Sequence, residues 1–284
     1  MIKNFKTFEG VEEDRVITEY IIGIPSGEVI EVTDDEFVKL KKQRLIVYKN
    51  SSKYFTFLDQ NYKIIRNMIS KNPERREYIE HCLSKFNITK FKINNDFSVD
   101  VFENVDISQK GLTRIPIKFK LVDGSFDCSL NKLTNLSNSP DEISGFFECS
   151  NNEIYTLIGG PSSVAGGYYC TDNKLEDLHG FPKYCQVCFD VSRNNIKTLK
   201  GCPEFVSARF FSVAYNKLKD LTHGPRKVMN FDCSHNDITT LVHGIRDANG
   251  NFDCTYNRLF NLMGMPSCDK LIYDEGNKIE VDYD

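Results

Sequence analysis

The segment FDCSHNDITTL (residues 231–241) is followed, 21 residues further along, by the near copy FDCTYNRLFNL (residues 252–262). In both segments apolar and polar residues alternate before an asparagine, and two apolar residues follow the asparagine three positions apart. Alternation with a period of two predicts a short strand. Recurrence of one unit at a fixed distance is typical of repeat proteins, in which each unit stacks on the next.

The same unit recurs from about residue 105 to the C-terminus. The other copies are FDCSLNKLTNL (126–136), FECSNNEIYTL (147–157), YYCTDNKLEDL (168–178), FDVSRNNIKTL (189–199), FSVAYNKLKDL (211–221), IYDEGNKIEV (272–281) and a degenerate first copy, ISQKGLTRI (107–115). Their asparagines recur every 20 to 22 residues, at Asn131, Asn152, Asn173, Asn194, Asn216, Asn236, Asn257 and Asn277. We therefore expect a solenoid of about nine turns with a parallel sheet on one side, a mostly irregular convex side, and each asparagine turned inward to bond the backbone.

The pattern F-x-C-x-x-N-x-L-x-x-L is similar to the leucine-rich repeat. Phe126 and Cys128 occupy its strand positions and Asn131 its asparagine position, and a G-x-P sequence such as residues 180–182 closes several copies. With these features the repeat resembles the repeats of proteins encoded by large tailed bacteriophages, over about 180 residues. The resemblance implies a leucine-rich-repeat-like fold and, if the chain is phage-encoded, a partner from the host or from the phage.

The first 104 residues lack the repeat and predict a small mixed domain, which makes the whole chain α+β. Hairpins are expected over 16–22 and 28–32 and over 45–49 and 54–57, with helices from Thr33 to about Gln43, at 59–71 and at 74–86. A last hairpin is expected over 88–93 and 97–102. The domains are therefore predicted as 1–104, whose end caps the solenoid, and 105–284.

Charge and hydropathy limit the classes of function. The 284 residues carry a net charge of −4, which argues against binding nucleic acid through bulk charge. No apolar run approaches the roughly 18 residues of a membrane helix, and the first residues lack the apolar core of a signal peptide. We therefore expect neither membrane nor secretion, but the cytoplasm (of the host cell, if the chain is phage-encoded), with a virion as the alternative.

The ten cysteines would be compatible with disulfides or a metal site, but the repeat phase argues against both. Five of them share one inward strand position, which Val191 and Val213 occupy in two other copies; they are Cys128, Cys149, Cys170, Cys233 and Cys254. A position that accepts valine is a packing position, and unpaired thiols suggest a reducing compartment. The pair Cys185 and Cys188 lacks the second pair that a zinc site needs.

No catalytic motif is present, and we expect neither an enzyme nor a bound cofactor or metal. His179, His223 and His243, each shortly after a repeat leucine, are expected in loops at one edge of the solenoid.

The residue between the Phe and Cys positions points outward and forms a row along the sheet. Five of its eight members are acidic, with Tyr169, Ser212 and Tyr273 at the other places; the acids are Asp127, Glu148, Asp190, Asp232 and Asp253. Stacked like charges cost stability, so the row is either a tolerated solubility device or a binding stripe for a basic partner.

The residue before each asparagine varies most, and variation on a fixed scaffold is typical of a specificity surface. Tyr215, His235 and Tyr256 form an aromatic strip in this row, beside Arg193. Aromatic residues favour protein contacts. The predicted protein-binding residues are therefore Asp127, Glu148, Tyr169, Asp190, Arg193, Tyr215, Asp232, His235, Asp253 and Tyr256.

Three functions follow from this sequence. The first is a non-enzymatic module that binds a protein with a basic patch through the acidic and aromatic concave face, and the second is a structural, virion-associated component. The third is nucleic-acid binding through residues 37–92, which hold fourteen basic and four acidic residues. The acidic face argues against nucleic acid on that side, and no pattern sets the oligomeric state.

Overall fold

The computed structural model of the chain describes residues 19–23, 29–33, 47–48, 55–56, 73–273 and 275–279. Two compact units are present, one comprising Met1–Tyr78 and Asn94–Phe97 and the other Ile79–Ile93 and Ser98–Asp284. Within the described ranges, no helix is both long and apolar enough to cross a bilayer.

The first unit contains a four-stranded sheet of β1 (Glu19–Gly23), β2 (Val29–Thr33), β3 (Val47–Tyr48) and β4 (Phe55–Thr56), in the order β2-β1-β4-β3. The pairs β1–β2 and β3–β4 are antiparallel, which confirms both predicted hairpins. Two predicted helices lie outside the described residues, one from Thr33 to about Gln43 and one at 59–71. Most of the basic residues 37–92 also lie outside them.

One helix is described, α1 (Pro73–Lys85), close to the predicted 74–86. The remaining strands are β5 (Phe91–Ile93), β6 (Val99–Val101), β7 (Val105–Asp106), β8 (Phe119–Val122), β9 (Phe126–Asp127), β10 (Glu142–Ile143), β11 (Phe147–Glu148), β12 (Ser163–Val164), β13 (Tyr168–Tyr169), β14 (Tyr184–Cys185), β15 (Cys188–Asp190), β16 (Phe210–Ser212), β17 (Lys227–Val228), β18 (Asn230–Asp232), β19 (Asp247–Asp253) and β20 (Ser267–Ile272). The antiparallel pair β5–β6 is the predicted last hairpin.

A parallel ladder, here called the first ladder, runs through the second unit in the order β7-β9-β11-β13-β15-β16-β18-β19-β20. Equivalent repeat positions pair directly, as Phe126 with Phe147 and Asp127 with Glu148. Nine strands enclose eight complete coils, so the solenoid has about eight turns rather than nine. The predicted count included the first and last repeats, each of which supplies a strand without closing a further coil.

A second parallel ladder, which the sequence analysis did not predict, immediately precedes the first in each coil. It runs β8-β10-β12-β14 and continues into the hairpin through the parallel pair β6–β8. Near the C-terminus β17, β19 and β20 pair in the same way. The segment between a repeat asparagine and the next coil, such as 131–141, holds neither helix nor strand, in line with the predicted irregular side.

Stacked side chains fill the core between the ladders. One buried aromatic residue per coil comes from the first ladder, and neighbouring rings lie 4.8 to 5.9 Å apart; they are Phe126, Phe147, Tyr168, Phe189, Phe211, Phe231 and Phe252. The five ladder cysteines are buried and unpaired beside them, and Val191 and Val213 are buried at the same position. This confirms the packing interpretation of the cysteines. Burial of each ladder phenylalanine stabilises the fold by about 1.5–3 kcal/mol.

The repeat asparagines connect each coil to the one before it. Asn152 donates from Nδ2 to the carbonyl oxygens of Cys128 and Cys149 at 3.1 Å, and its Oδ1 accepts the N–H of Leu133 at 2.9 Å. The arrangement recurs in every coil to Asn277. Each side chain therefore satisfies buried backbone groups of two coils, as predicted.

The last repeat differs from its predicted alignment. Asp253 pairs with Ile272, so Ile272 rather than Tyr273 takes the outward row position. Asn277 donates to the carbonyl of Tyr273, four residues earlier, whereas the other repeat asparagines reach three residues back. One extra residue is accommodated between strand and asparagine, which a fixed repeat frame could not anticipate.

Candidate functional site

The residue before each repeat asparagine has a left-handed backbone. Its φ angle is +50° to +57° at eight non-glycine residues, which together with Gly276 we call the left-handed row; they are Gln109, Leu130, Asn151, Asp172, Arg193, Tyr215, His235 and Tyr256. The turn into the inward asparagine imposes this conformation, at a cost of about 1 kcal/mol for a residue with a Cβ. The fold therefore constrains the backbone of this row, while most of its side chains are exposed and free to vary.

Four members of the left-handed row stack on one another in consecutive coils. The Arg193 guanidinium carbon lies 4.5 Å from the centre of the Tyr215 ring. The ring of His235 lies 4.0 Å from Tyr215 and 4.2 Å from Tyr256, with the planes within 10° of parallel. We call Arg193, Tyr215, His235 and Tyr256 the aromatic column. The structure thus brings together the three residues that the sequence placed in the aromatic strip, and it adds Arg193 of the same row to them.

An arginine lies at one end of the aromatic column, and a glutamate of the next coil lies beside the other end. Arg193 covers the outer face of Tyr215, and the hydroxyl of Tyr256 donates to Glu275 Oε2 in the next coil. Tyr215 and Tyr256 are 44% and 45% exposed, respectively, and neither is part of the core. Glu275 was missed as a site residue because serine, threonine or alanine takes its place in the other copies, and a single glutamate there formed no pattern.

The five predicted carboxylates have a local structural role that neither sequence interpretation included. Each accepts the backbone N–H two residues ahead of it at 2.9 Å, as Asp127 does from Ser129 and Asp190 from Ser192. Ser212 takes this place in the coil between Asp190 and Asp232, and its hydroxyl accepts from Ala214. The acidic row is thus a set of turn caps, and its recurrence is explained by the fold before any partner is considered.

The turn caps are half-buried, and burial shifts the pKa of two of them. Burial raises the pKa of the Glu148 and Asp232 carboxyls, and charged neighbours in the same row raise it further. The neighbours of Asp232 in this respect are Asp253 and Asp190. No side chain in the described part of the chain forms a salt bridge with the five carboxylates, so the row presents uncompensated negative charge.

Tyr169 lies in the carboxylate row, away from the aromatic column. A Cβ added to Gly167 would lie 2.6 Å from the Tyr169 hydroxyl, so this ring folds over the bare backbone of the corner between the ladders. Burial raises the pKa of its hydroxyl. Of the ten predicted binding residues, Tyr169, Asp127 and Glu148 occupy earlier coils than the aromatic column, and Asp190, Asp232 and Asp253 share its coils.

The corner also exposes apolar side chains that the repeat pattern did not single out. Phe146, Val187, Phe210 and Met229 are 39–47% exposed, just before the buried ladder aromatic of their coils. Because glycine, serine and asparagine occur at the corresponding places in other copies, no consistent sequence pattern marks this corner.

The cysteine pair does not have the environment of a redox or nucleophilic site. Burial raises the pKa of Cys185 to about 11 and that of Cys188 to about 12, so both thiols stay protonated at neutral pH. Cys185 donates to the carbonyl oxygen of Cys188 at 3.0 Å. Across the described ranges no three histidine, cysteine or acidic side chains converge as a metal site would require.

The three edge histidines are exposed, as expected. His179 and His223 line an open groove of about 560 Å³ with Arg226, whereas His243 does not. His179 Nδ1 lies 3.0 Å from Asp177 Oδ1, and Arg226 Nε lies 2.8 Å from Glu204 Oε1. The polar groups of the groove are therefore largely engaged with their own neighbours.

Comparison with known proteins adds little beyond the architecture. No protein-family model matches the chain, and no curated protein matches it. Among solved structures it is similar to YopM from Yersinia enterocolitica WA-314, with 17% identity and a TM-score of 0.42. The match covers 77% of this chain and 51% of that chain, so this chain spans about half the length of that protein. The leucine-rich-repeat-like character of the fold rests on its ladders and asparagines.

Proposed function

We propose that the chain is a non-enzymatic protein–protein interaction module and that it binds its partner through the first-ladder face, with the aromatic column as the anchor. The aromatic column carries this proposal. It consists of three exposed side chains and the half-buried His235, ordered by stacking over four coils, at positions where the fold requires a backbone conformation but no particular side chain. Tyrosine and arginine are the residues most enriched in binding hot spots.

The geometry of the aromatic column favours a protein over other partners. Nucleic-acid bases and sugar rings bind aromatic side chains through an open ring face. Here both faces of His235 and one face of each tyrosine are covered by neighbouring rings, and Arg193 covers the other face of Tyr215. The second face of Tyr256, the ring edges and the Tyr215 hydroxyl are left, and these suit a packed protein interface. The carboxylates beside the aromatic column favour a partner with a basic patch.

The resemblance of the repeat to phage-encoded proteins supports a partner from the host or from the phage. All ten cysteines are unpaired, which supports the predicted cytoplasmic location. A virion-associated role and nucleic-acid binding by residues 37–92 stay predictions of the sequence alone.

A capture experiment with matched variants tests this function. The bait with Tyr215→Asn and Tyr256→Asn removes two rings but keeps a side chain that already occupies the left-handed row at Asn151. The control bait carries Leu130→Asn and Asp172→Asn, the same replacement in the same row away from the aromatic column. Nuclease-treated lysate of cells that produce the protein is passed over each bait and analysed by quantitative mass spectrometry.

We expect at least one protein to bind the wild-type and control baits equally and to be depleted tenfold or more on the column variant. A loss of tenfold corresponds to about 1.4 kcal/mol, which is less than the roughly 2 kcal/mol that truncation of a single hot-spot residue costs. Equal capture by all three baits would place the binding site elsewhere and would contradict the proposal.

A further inference from the structure

The surface beside the aromatic column is suited to positively charged groups. Asp190, Asp232 and Asp253 lie in the coils of Arg193, His235 and Tyr256, respectively, and each uses Oδ1 as a turn cap. Their Oδ2 atoms have no hydrogen-bond partner within the described residues. Each carboxylate is thus held by its cap while one oxygen stays available at a fixed place in three of the four coils, and Ser212 takes that place in the coil of Tyr215.

The aromatic column itself contains an example of the group that it accepts. The guanidinium of Arg193 stacks on the free face of Tyr215, at 4.5 Å from the ring centre. This contact is a cation–π interaction within the chain, and it shows that a guanidinium fits against these rings. The pairing of carboxylates with aromatic rings is a chemical match for arginine and lysine side chains, whose stems are apolar and whose heads are charged.

The repeat spacing selects the backbone conformation of the partner. Adjacent parallel strands lie about 4.8 Å apart, so equivalent side chains recur at that interval along the stack. Side chains on one face of an extended strand recur about every 6.6 Å, whereas an α-helix advances about 5.4 Å per turn. A helix lying along the stack therefore keeps nearly in step with the coils over three or four turns, and an extended segment does not.

The width of the surface agrees with this choice. The strand ends at Asp232, and His235 follows three residues later in a left-handed turn. Even a fully extended chain would place their Cα atoms at most about 10 Å apart. One α-helix with its side chains, about 10–12 Å across, can therefore contact both rows.

We propose that the occupant of this surface is an α-helical protein segment with arginine or lysine residues facing the three carboxylates and apolar residues facing the aromatic column. The inference rests on the proposed function and adds the charge and conformation of the partner segment. The proposed binding surface extends from the coil of Asp190 to the coil of Asp253.

Selection of binding peptides tests the inference independently of any natural partner. The full chain is the bait for an mRNA-displayed library of random 18-residue peptides, selected at about 0.15 M salt. Recovered peptides are then measured by fluorescence anisotropy against the wild type, the column variant Tyr215→Asn/Tyr256→Asn, and a charge variant, Asp232→Asn/Asp253→Asn. Asparagine retains the Oδ1 atom that caps the turn, so the charge variant removes charge without removing the cap.

Two control variants match these changes. Leu130→Asn/Asp172→Asn alters the left-handed row away from the aromatic column, and Asp106→Asn/Asp127→Asn alters turn caps in the first coils. We expect enriched peptides with basic residues three or four positions apart over at least two turns. Their affinity should fall tenfold or more on the column and charge variants, stay within twofold on both controls, and disappear when a central residue is replaced by proline.

The outcomes separate the inference from the proposed function. Peptides that depend on the aromatic column but lack the basic helical spacing, or that tolerate central proline, would overturn the helical partner and leave the binding face in place. Peptides that bind all variants alike would overturn both. Recovery of no binding peptide would also count against the helical segment, because a library of this kind contains many basic amphipathic sequences.

Discussion

His235 lies parallel to Tyr215, with ring centroids 4.0 Å apart and planes within 9° of each other. The two residues are 20 positions apart in sequence and adjacent in space because each precedes a repeat asparagine that fixes the same left-handed turn. The residues before the repeat asparagines have no role in the core, and the solenoid stacks them into a continuous surface. Changes to this surface and changes to the core can therefore be tested separately.

Replacing Tyr215 and Tyr256 together by asparagine is expected to change the free energy of unfolding by less than about 1 kcal/mol. The lost stacking is offset because asparagine tolerates a positive φ better than tyrosine does. Urea denaturation of the full chain, followed by circular dichroism, measures this. Destabilisation by 3 kcal/mol or more would mean that the aromatic column supports the fold rather than a partner.

Asn194→Ala is expected to destabilise the chain by about 3 kcal/mol. The side chain donates to three carbonyl oxygens and accepts the N–H of Leu175, and alanine leaves these buried groups unpaired. The neighbouring Asn195→Ala is the control, because Asn195 lies outside the ladder and its change should cost less than about 0.5 kcal/mol. Equal urea midpoints for the two variants would disprove the structural role of the repeat asparagines.

Tyr168→Phe is expected to stabilise the chain by about 1–2 kcal/mol. Tyr168 is the one tyrosine among the buried ladder aromatics, and within the described residues its hydroxyl has no hydrogen-bond partner. Phenylalanine removes this buried polar group and matches the neighbouring coils. Tyr184→Phe, which removes an exposed hydroxyl, should leave the melting temperature within about 2 °C. A lower melting temperature for Tyr168→Phe would indicate a hidden partner.

Asp232→Asn is expected to stabilise the chain at pH 7 and to lose this advantage near pH 4. Burial raises the pKa of this carboxyl above its ordinary value of 3.8. As the pH rises, Asp232 therefore ionises at a lower pH in the unfolded chain than in the folded chain. The free energy of unfolding falls between the two pKa values and stays lower above them. Urea midpoints of wild type and variant at pH 4, 5.5 and 7 measure the difference. A difference that does not grow with pH would contradict the raised pKa.

Glu153→Gln provides the opposite case for that experiment. The hydrogen bond and charge of Lys174 lower the pKa of the Glu153 carboxyl. A carboxyl with a lowered pKa contributes stability above its unfolded pKa and loses it as the pH falls. Glutamine should therefore be slightly destabilising at pH 7 and neutral at low pH. The effect is small because both side chains are exposed.

The periodicity of the sequence was sufficient to predict most of the fold. The spacing of Asn131 to Asn277 predicted the solenoid, the inward asparagines and the buried cysteines, because these depend only on the phase of each residue within its repeat. The second ladder was missed because the prolines before it were interpreted only as bends. A proline followed three residues later by an apolar residue recurs there, as in Pro140 with Ile143 and Pro161 with Val164, and this pattern carried the signal. Alignment failed at Tyr273, where one extra residue shifts the strand.

The candidate site was only partly accessible from the sequence. Stacking placed Tyr215, His235 and Tyr256 in one row, but the guanidinium of Arg193 on the Tyr215 ring depends on a side-chain conformation that no pattern encodes. The capping bonds of the carboxylates were missed because acidic residues in a row suggested a surface property. The local sequence of an acid followed two residues later by serine or threonine carried that signal.

Photo-crosslinking tests the proposed binding face most directly, because it reports contact rather than stability. Benzoylphenylalanine is placed at Tyr215, in the aromatic column, or at Phe260, which is 59% exposed outside the left-handed row. The full chain is then irradiated in the cells that produce it. We predict a protein adduct from position 215 and none from position 260. An adduct from position 260 alone, or from neither position, would contradict binding through the aromatic column.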